Sequence, residues 1–209
     1  MIKPILQIHS YPELENPVFI AGLTGFGSVG KISAELLIES SKAQLFAELY
    51  SPHLPDYATI DEEGIVHLPR YSFYFSKHLE RDVIIMTGDA QPSSTSSKAH
   101  YQTCGLALDL AEEHKCRFVI TMGGFLTSDT TKEVFIAATD PELVEKFATE
   151  KIGIYRNGSV IGATGLLLGL AKVRGMKGLS ILGVTSGVTE DRKAASSVSR
   201  FIIQIIGNL

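Results

Sequence analysis

Tryptophan is absent from this chain of 209 residues, and cysteine appears only twice, as Cys104 and Cys116. The two cysteines form no C-x-x-C pair, and no histidine cluster accompanies them. That excludes a disulfide framework and a structural zinc site, and two reduced thiols fit a cytoplasmic protein. Positive charge is not in excess: 19 Lys and Arg stand against 23 Asp and Glu, a net charge of −4. A chain without a basic face is poorly suited to neutralise a phosphate backbone, so nucleic acid is not expected as a partner. Long hydrophobic runs are lacking too. Each is broken by Gly or Lys well before the ~20 residues that a membrane span needs. The opening Met1-Ile2-Lys3-Pro4-Ile5-Leu6-Gln7 is too short and too polar for a signal peptide.

Catalytic patterns are equally sparse. The six histidines (His9, His53, His67, His78, His100, His114) are scattered and form no H-x-x-x-H pair. No G-x-S-x-G elbow occurs, since Phe26 stands where Ser28 would need its first glycine. Gly183-Val184-Thr185-Ser186-Gly187 resembles it only with threonine in the nucleophile's place. No metal or other cofactor is expected, and an enzyme is not the favoured reading. No repeat and no Pro- or Ser-rich linker divides the chain, so residues 1–209 read as one domain.

What is present is an alternation of strand and helix patterns. Apolar strand runs are predicted at 18–23, 44–50, 83–86, 118–122, 134–138 and 179–184. Helices are predicted from Gly30 to Lys42, with Ile32, Leu36, Leu37 and Ser40 on one face, and from about Ser97 to His114 with Ser97 or a neighbour as cap. Asp140-Pro141-Glu142 opens another helix. Gly165 to Arg174 is nearly all apolar and reads as a helix in the middle of the molecule, stopped by Gly175. Asp191 to Ile206 turns Ala194, Ala195, Val198, Phe201, Ile202 and Ile205 inward. Two hairpins are expected, one joining 64–68 to 71–75 and one around Asn157-Gly158 joining 152–156 to 159–161. These patterns predict a three-layer α/β/α fold with a mixed, mostly parallel sheet.

One stretch suggests chemistry: Gly25-Phe26-Gly27-Ser28-Val29-Gly30-Lys31, between a strand and a helix. As G-x-G-x-x-G it is a dinucleotide fingerprint. Gly25 would make the turn, Gly27 admit a pyrophosphate and Gly30 let helix and strand pack closely. The acidic residue expected about 20 positions on is matched loosely by Glu48, which sits mid-strand. As G-x-x-x-x-G-K it is a P-loop with Lys31 in place, but Ile32 replaces the hydroxyl that would hold Mg²⁺. A tight turn with close packing explains the same glycines. Strands ending at Gly88-Asp89, Gly123-Gly124 and Gly183 would bring their loops to one sheet edge, where open α/β sheets bind ligands. Gly25, Gly27, Gly30, Lys31, Gly88, Asp89, Gln91, Gly123 and Gly124 are therefore the candidate ligand-binding residues. Their ligand would be a nucleoside, a nucleotide or phosphate, and a site acting on such a ligand is the alternative function.

The ordered set of segments is similar to a known family. It comprises the glycine loop, Leu49-Tyr50-Ser51-Pro52, Val83 to Pro92, Ile120 to Gly124, Val134 to Asp140, Gly162 to Gly169, and Asp191 with Ala194-Ala195. Together these resemble the archaeal and bacterial members of the proteasome assembly chaperone 2 family, from about Val18 to Ile206. The resemblance implies a fold like that of nucleoside phosphorylases, a homo-oligomer with a trimer favoured, and a binding protein whose partners are protein subunits. Some members contact proteasome α-subunits, using a tail that ends in a hydrophobic residue, tyrosine and any residue. Gly207 and Asn208 stand in those places here, so contact through such a tail is not expected. The first hairpin, with Tyr71, Phe73, Tyr74 and Phe75, is a candidate contact surface, and completing the fold's own core is the equal alternative, since a hairpin must bury one face.

Overall fold

The computed structural model describes residues 3–93, 96–129 and 131–209. Residues 1 and 2 of the opening segment, and 94 and 95 of the loop expected before the second helix, lie outside the described residues. The main strands are β1 (Ile5–Ile8), β2 (Val18–Gly22), β3 (Gln44–Tyr50), β6 (Tyr71–Ser76), β7 (Val83–Gly88), β8 (Phe118–Phe125), β9 (Val134–Ala138), β10 (Ile152–Ile154) and β11 (Lys177–Val184). They form one nine-stranded sheet in the order β1-β3-β6-β7-β2-β8-β11-β9-β10. A small separate ribbon pairs β4 (Thr59–Ile60) with β5 (Val66–His67).

The sheet is mixed. The central run β7-β2-β8-β11 is parallel, and so is β9 with β10. The pairs β1-β3, β3-β6, β6-β7 and β11-β9 are antiparallel. The central strands are unbroken apolar runs because both of their faces are covered. Along them side chains alternate between two cores. Val18, Ile20, Ile85 and Ile120 face α1 (Val29–Ser40), α3 (Pro141–Phe147) and α5 (Arg192–Ile205). Phe19, Ala21, Met86 and Val119 face α2 (Ser97–Glu113) and α4 (Ala163–Val173). The result is three layers. Among the described residues, no helix is long and apolar enough to cross a membrane.

Local signals place the helix starts. Ser96 caps α2 by accepting the Ala99 amide, Asp140 caps α3 ahead of Pro141, and Asp191 caps α5. All six inward residues expected on α5 are buried. On α1, Ile32 and Leu37 are buried and Leu36 partly so, but Ser40 is exposed.

Three expectations fail. Residues 64–68 and 71–75 form no hairpin: β5 turns back onto β4, and β6 lies inside the sheet between β3 and β7. Tyr71 and Phe73 are fully buried, Phe75 packs partly on the same core, and Tyr74 is half-buried on the opposite face. These aromatics supply core area, so they do not form a contact surface. Around Asn157-Gly158 the backbone does turn, with Asn157 at φ 53°. However, β10 pairs in parallel with β9, and residues 159–161 form no strand. The chain there crosses to the start of α4 and does not return along β10. Finally, α4 is an outer-layer helix. Ala163, Leu167 and Ala171 are its buried stripe, while Val173 is 84% exposed. Strand β1 and the partner strand β4 had no clear sequence signal.

Candidate functional site

The topology itself marks a crevice. Strands β2 and β8 are parallel neighbours. From β2 the chain leaves through α1 toward β3, while from β8 it leaves toward β9 on the other side. Adjacent parallel strands whose connections diverge leave a gap at their carboxyl ends, and ligands of open α/β sheets bind there.

The glycine loop closes one wall of this gap. A Cβ on Gly22 would lie 2.1 Å from the Gly30 carbonyl oxygen, and one on Gly30 would lie 2.6 Å from the Met122 carbonyl oxygen. Helix α1 therefore presses directly onto β2 and β8, as expected for Gly30. Gly27 has φ 58°, and its carbonyl accepts the Asp191 amide at 2.8 Å. A Cβ there would meet the Thr185 hydroxyl at 2.6 Å. Gly27 and Gly30 are thus occupied by the packing of the chain itself. Gly25 differs. It has no atom within 4 Å of where its Cβ would be, and it borders open space.

That space is a cleft of about 880 Å³. Of the sequence candidates, Gly25, Gln91, Gly123 and Gly124 line it. Gln91 crosses its floor: its side-chain amide donates to the Thr24 carbonyl, and its carbonyl accepts the Ala163 amide at 2.9 Å. The loop after β2 is thereby tied to the start of α4. Nearby, the Thr164 hydroxyl donates to the Met122 carbonyl at 3.2 Å. Four benzenoid rings line the cleft, from Phe26, Tyr101, Phe125 and Tyr155. Phe125 and Tyr155 meet edge to face at 4.9 Å. No Asp, Glu, Lys or Arg is among the described residues that line the cleft.

Lys31, Gly88 and Asp89 lie elsewhere, around a second hollow of about 280 Å³ beside α1. Lys31 Nζ stands 3.9 Å from Glu35 and 4.0 Å from Asp89. Asp89 also accepts the Arg70 amide at 3.3 Å. Behind them Arg70 Nε lies 2.5 Å from Glu48, whose other oxygen is 3.0 Å from His9 Nε2. Burial raises the Tyr74 phenol above its ordinary value. Glu48 sits on β3, separated from β2 by β6 and β7. It cannot serve a ribose at the glycine loop, so the dinucleotide reading loses its acidic residue. The nine candidates thus divide into cleft, packing and hollow.

Sequence reading missed Ser97, Tyr101, Tyr155 and Gly162, which also line the cleft. The expected hairpin at 157–158 hid the last two, since it sent that segment along the sheet. Both thiols are buried, and burial pushes each up to about 12. Neither is an activated nucleophile. Among the described residues, no three His, Cys, Asp or Glu side chains cluster as metal ligands would.

Comparison with known proteins bears on this architecture. The model of the PAC2 family matches residues 19–208. The crystal structure of Pyrococcus furiosus PbaB, described as an archaeal proteasome activator, superposes with a TM-score of 0.91 at 37% identity. The match covers 99% of this chain and 90% of that one. Pyrococcus furiosus PbaA, an archaeal homolog of proteasome-assembly chaperone, superposes with a TM-score of 0.81 at 26% identity over 98% and 82% of the two chains. The uncharacterized protein MJ1210 of Methanocaldococcus jannaschii is 30% identical over 203 residues, which are 95% of this chain and 77% of that protein.

Proposed function

The chain belongs to the PAC2 family, and from that footing we propose that it is a non-enzymatic protein that binds proteasome subunits as a homo-oligomer. The observation that carries the reading is the likeness to PbaB, at 37% identity across 90% of that protein. Homologues of proteasome assembly chaperone type support a chaperone-like role rather than a catalytic one.

The surface supports protein contacts. On and beside the ribbon β4-β5, Tyr57, Ile60, Ile65, Val66 and Leu68 are all exposed. A two-stranded ribbon with that much uncovered apolar area gains by burying it against another chain. Edge strand β1 adds exposed Ile5 and Leu6 beside its unpaired side.

The test is co-elution with archaeal 20S proteasome, paired with a peptide-hydrolysis assay of that proteasome. Comigration together with an altered hydrolysis rate is expected. A protein that neither comigrates nor changes the rate would sink the reading. Light scattering reads the copy number, and a monomer at micromolar concentration would remove the oligomer. Replacing Ile60 and Val66 by serine is expected to weaken assembly or proteasome binding without unfolding the domain, since neither residue is in the core.

A further inference from the structure

We propose that the cleft between β2 and β8 holds an uncharged, ring-bearing small molecule of nucleoside size. This is independent of the proteasome-binding reading, which rests on other surfaces.

Position comes first. The cleft occupies the switch point of the sheet, at the carboxyl ends of β2 and β8, where this architecture leaves a gap by construction. Its volume of about 880 Å³ falls within the range of small-molecule sites, roughly 300–1,000 Å³.

The lining chemistry selects the ligand. The described lining offers no lysine or arginine to a phosphate. Lys31, the cation of the glycine loop, lines the other hollow together with Arg70, and both face carboxylates there. Of the three ligand types that the glycine loop suggests, the nucleotide and the free phosphate are therefore disfavoured and the uncharged nucleoside fits. The rings of Phe26, Tyr101, Phe125 and Tyr155 offer faces and edges to a planar group. Ser97, Ser159 and Tyr101 line the cleft as exposed residues whose hydroxyls can read polar substituents, and the buried Nδ1 of His100, also in the lining, has no partner among the described residues. A few hydrogen-bonding groups set in a mostly apolar wall is the usual composition of such a site.

Gly25 supplies a further observation. Its φ of 175° is extended backbone that any residue adopts, and its absent Cβ would touch nothing. The packing of the chain does not require glycine here, in contrast with Gly27 and Gly30. What glycine leaves at position 25 is room in the cleft.

The experiment uses the full chain in thermal shift and calorimetric titration. The probes are adenosine and guanosine, with AMP and inorganic phosphate as charged counterparts. The nucleoside that binds is expected to raise Tm by about 5–10 °C at a hundred times its Kd. AMP should bind more weakly, and phosphate alone should not shift Tm. Gly25→Leu pushes a side chain into the cleft and should weaken nucleoside binding at least about tenfold. Tyr101→Ala removes an exposed ring and should weaken it roughly three- to tenfold, which gives a second reading if the leucine variant folds poorly. Lys31→Ala, in the other hollow, should leave binding unchanged.

Silence of both nucleosides at millimolar concentration overturns the proposal. So does AMP or phosphate binding as tightly as adenosine and losing affinity in Lys31→Ala. If the nucleosides are silent while Gly25→Leu abolishes proteasome binding, the cleft docks protein and the small-molecule assignment falls.

Discussion

The cleft and the charged hollow share one edge of the sheet and differ most in charge. The cleft is lined by rings, glycines and hydroxyls, whereas the hollow is built from Lys31, Glu35, Arg70 and Asp89. A single seven-residue loop contributes to both, because Gly25 borders the cleft and Lys31 borders the hollow. In a P-loop the backbone and the lysine converge on one phosphate. Here they diverge. The division pulls the parts of a nucleotide-like motif apart: Gly27 and Gly30 serve packing, Gly25 borders the cleft, and the lysine faces carboxylates.

The loop's own glycines distinguish the two regions most strongly. Gly30→Ala would place a methyl 2.6 Å from the Met122 carbonyl oxygen and 2.8 Å from that of Leu23. Both neighbours are backbone and cannot rotate away. A loss of about 3 kcal/mol or more is expected, outweighing the ~1 kcal/mol that alanine gains in a helix. Tm should fall by about 6–12 °C. Gly25→Ala, in the same motif, should stay within about 0.5 kcal/mol of the parent. Equal effects in urea denaturation would refute the division of the loop into packing and cleft residues.

The hollow yields the next largest effect. Glu48 is only 8% exposed and has Arg70 and His9 against its two oxygens. Arg70→Met leaves a largely buried carboxylate without its principal counter-charge. The expected cost is about 2 kcal/mol, below the full value for a buried pair because Arg70 is partly exposed. Adding Glu48→Gln should restore part of it. A double mutant less stable than the Arg70→Met single would show that the pair is not the reason for the loss.

On the cleft side, Gln91→Ala removes a tie and not a charge. The change frees the Thr24 carbonyl and the Ala163 amide, both bonded by this side chain. About 1–2 kcal/mol is expected. Hydrogen exchange should quicken at Ala163 first, because its amide loses its acceptor at the uncapped start of α4. Unchanged exchange there would mean that Gln91 does not hold the helix to the loop.

Much of this architecture was legible from the sequence. The central strands followed from their apolar runs and α5 from its hydrophobic period, and the caps at Asp140 and beside Ser97 from local chemistry, because each of those signals is contained within a few residues. The glycines near the strand ends indicated a shared edge but not its division, since β8 runs past Gly123-Gly124 to Phe125 and Gly88-Asp89 border a different hollow. What was hidden depends on pairing across distance. Residues 71–75 are as apolar as an inner strand should be, but only the register with β3 and β7 shows that they are one. Asn157-Gly158 turns the chain as its sequence suggests, but the segment after the turn has no strand partner. Lys31 and Gly25 are six residues apart, and nothing in that spacing shows that the helix start directs them to different hollows.

The smallest expected effect is also the most direct check on that separation. Lys31 Nζ lies 3.9–4.0 Å from two carboxylates that are about half exposed. Ion pairs of this kind contribute little, typically less than 1 kcal/mol, and salt screens what remains. Lys31→Ala also substitutes a slightly better helix former, which offsets part of the loss. The net change should be within about 0.5 kcal/mol at low salt, and near 1 M salt the ion-pair loss should vanish and leave only the small helix-propensity gain. A P-loop lysine would behave differently. Its removal would leave stability alone, yet it would abolish any stabilisation by added nucleotide. If AMP or ATP raises the Tm of the parent and Lys31→Ala abolishes that rise, the lysine is a phosphate ligand after all, and the charged hollow is the second half of a nucleotide site.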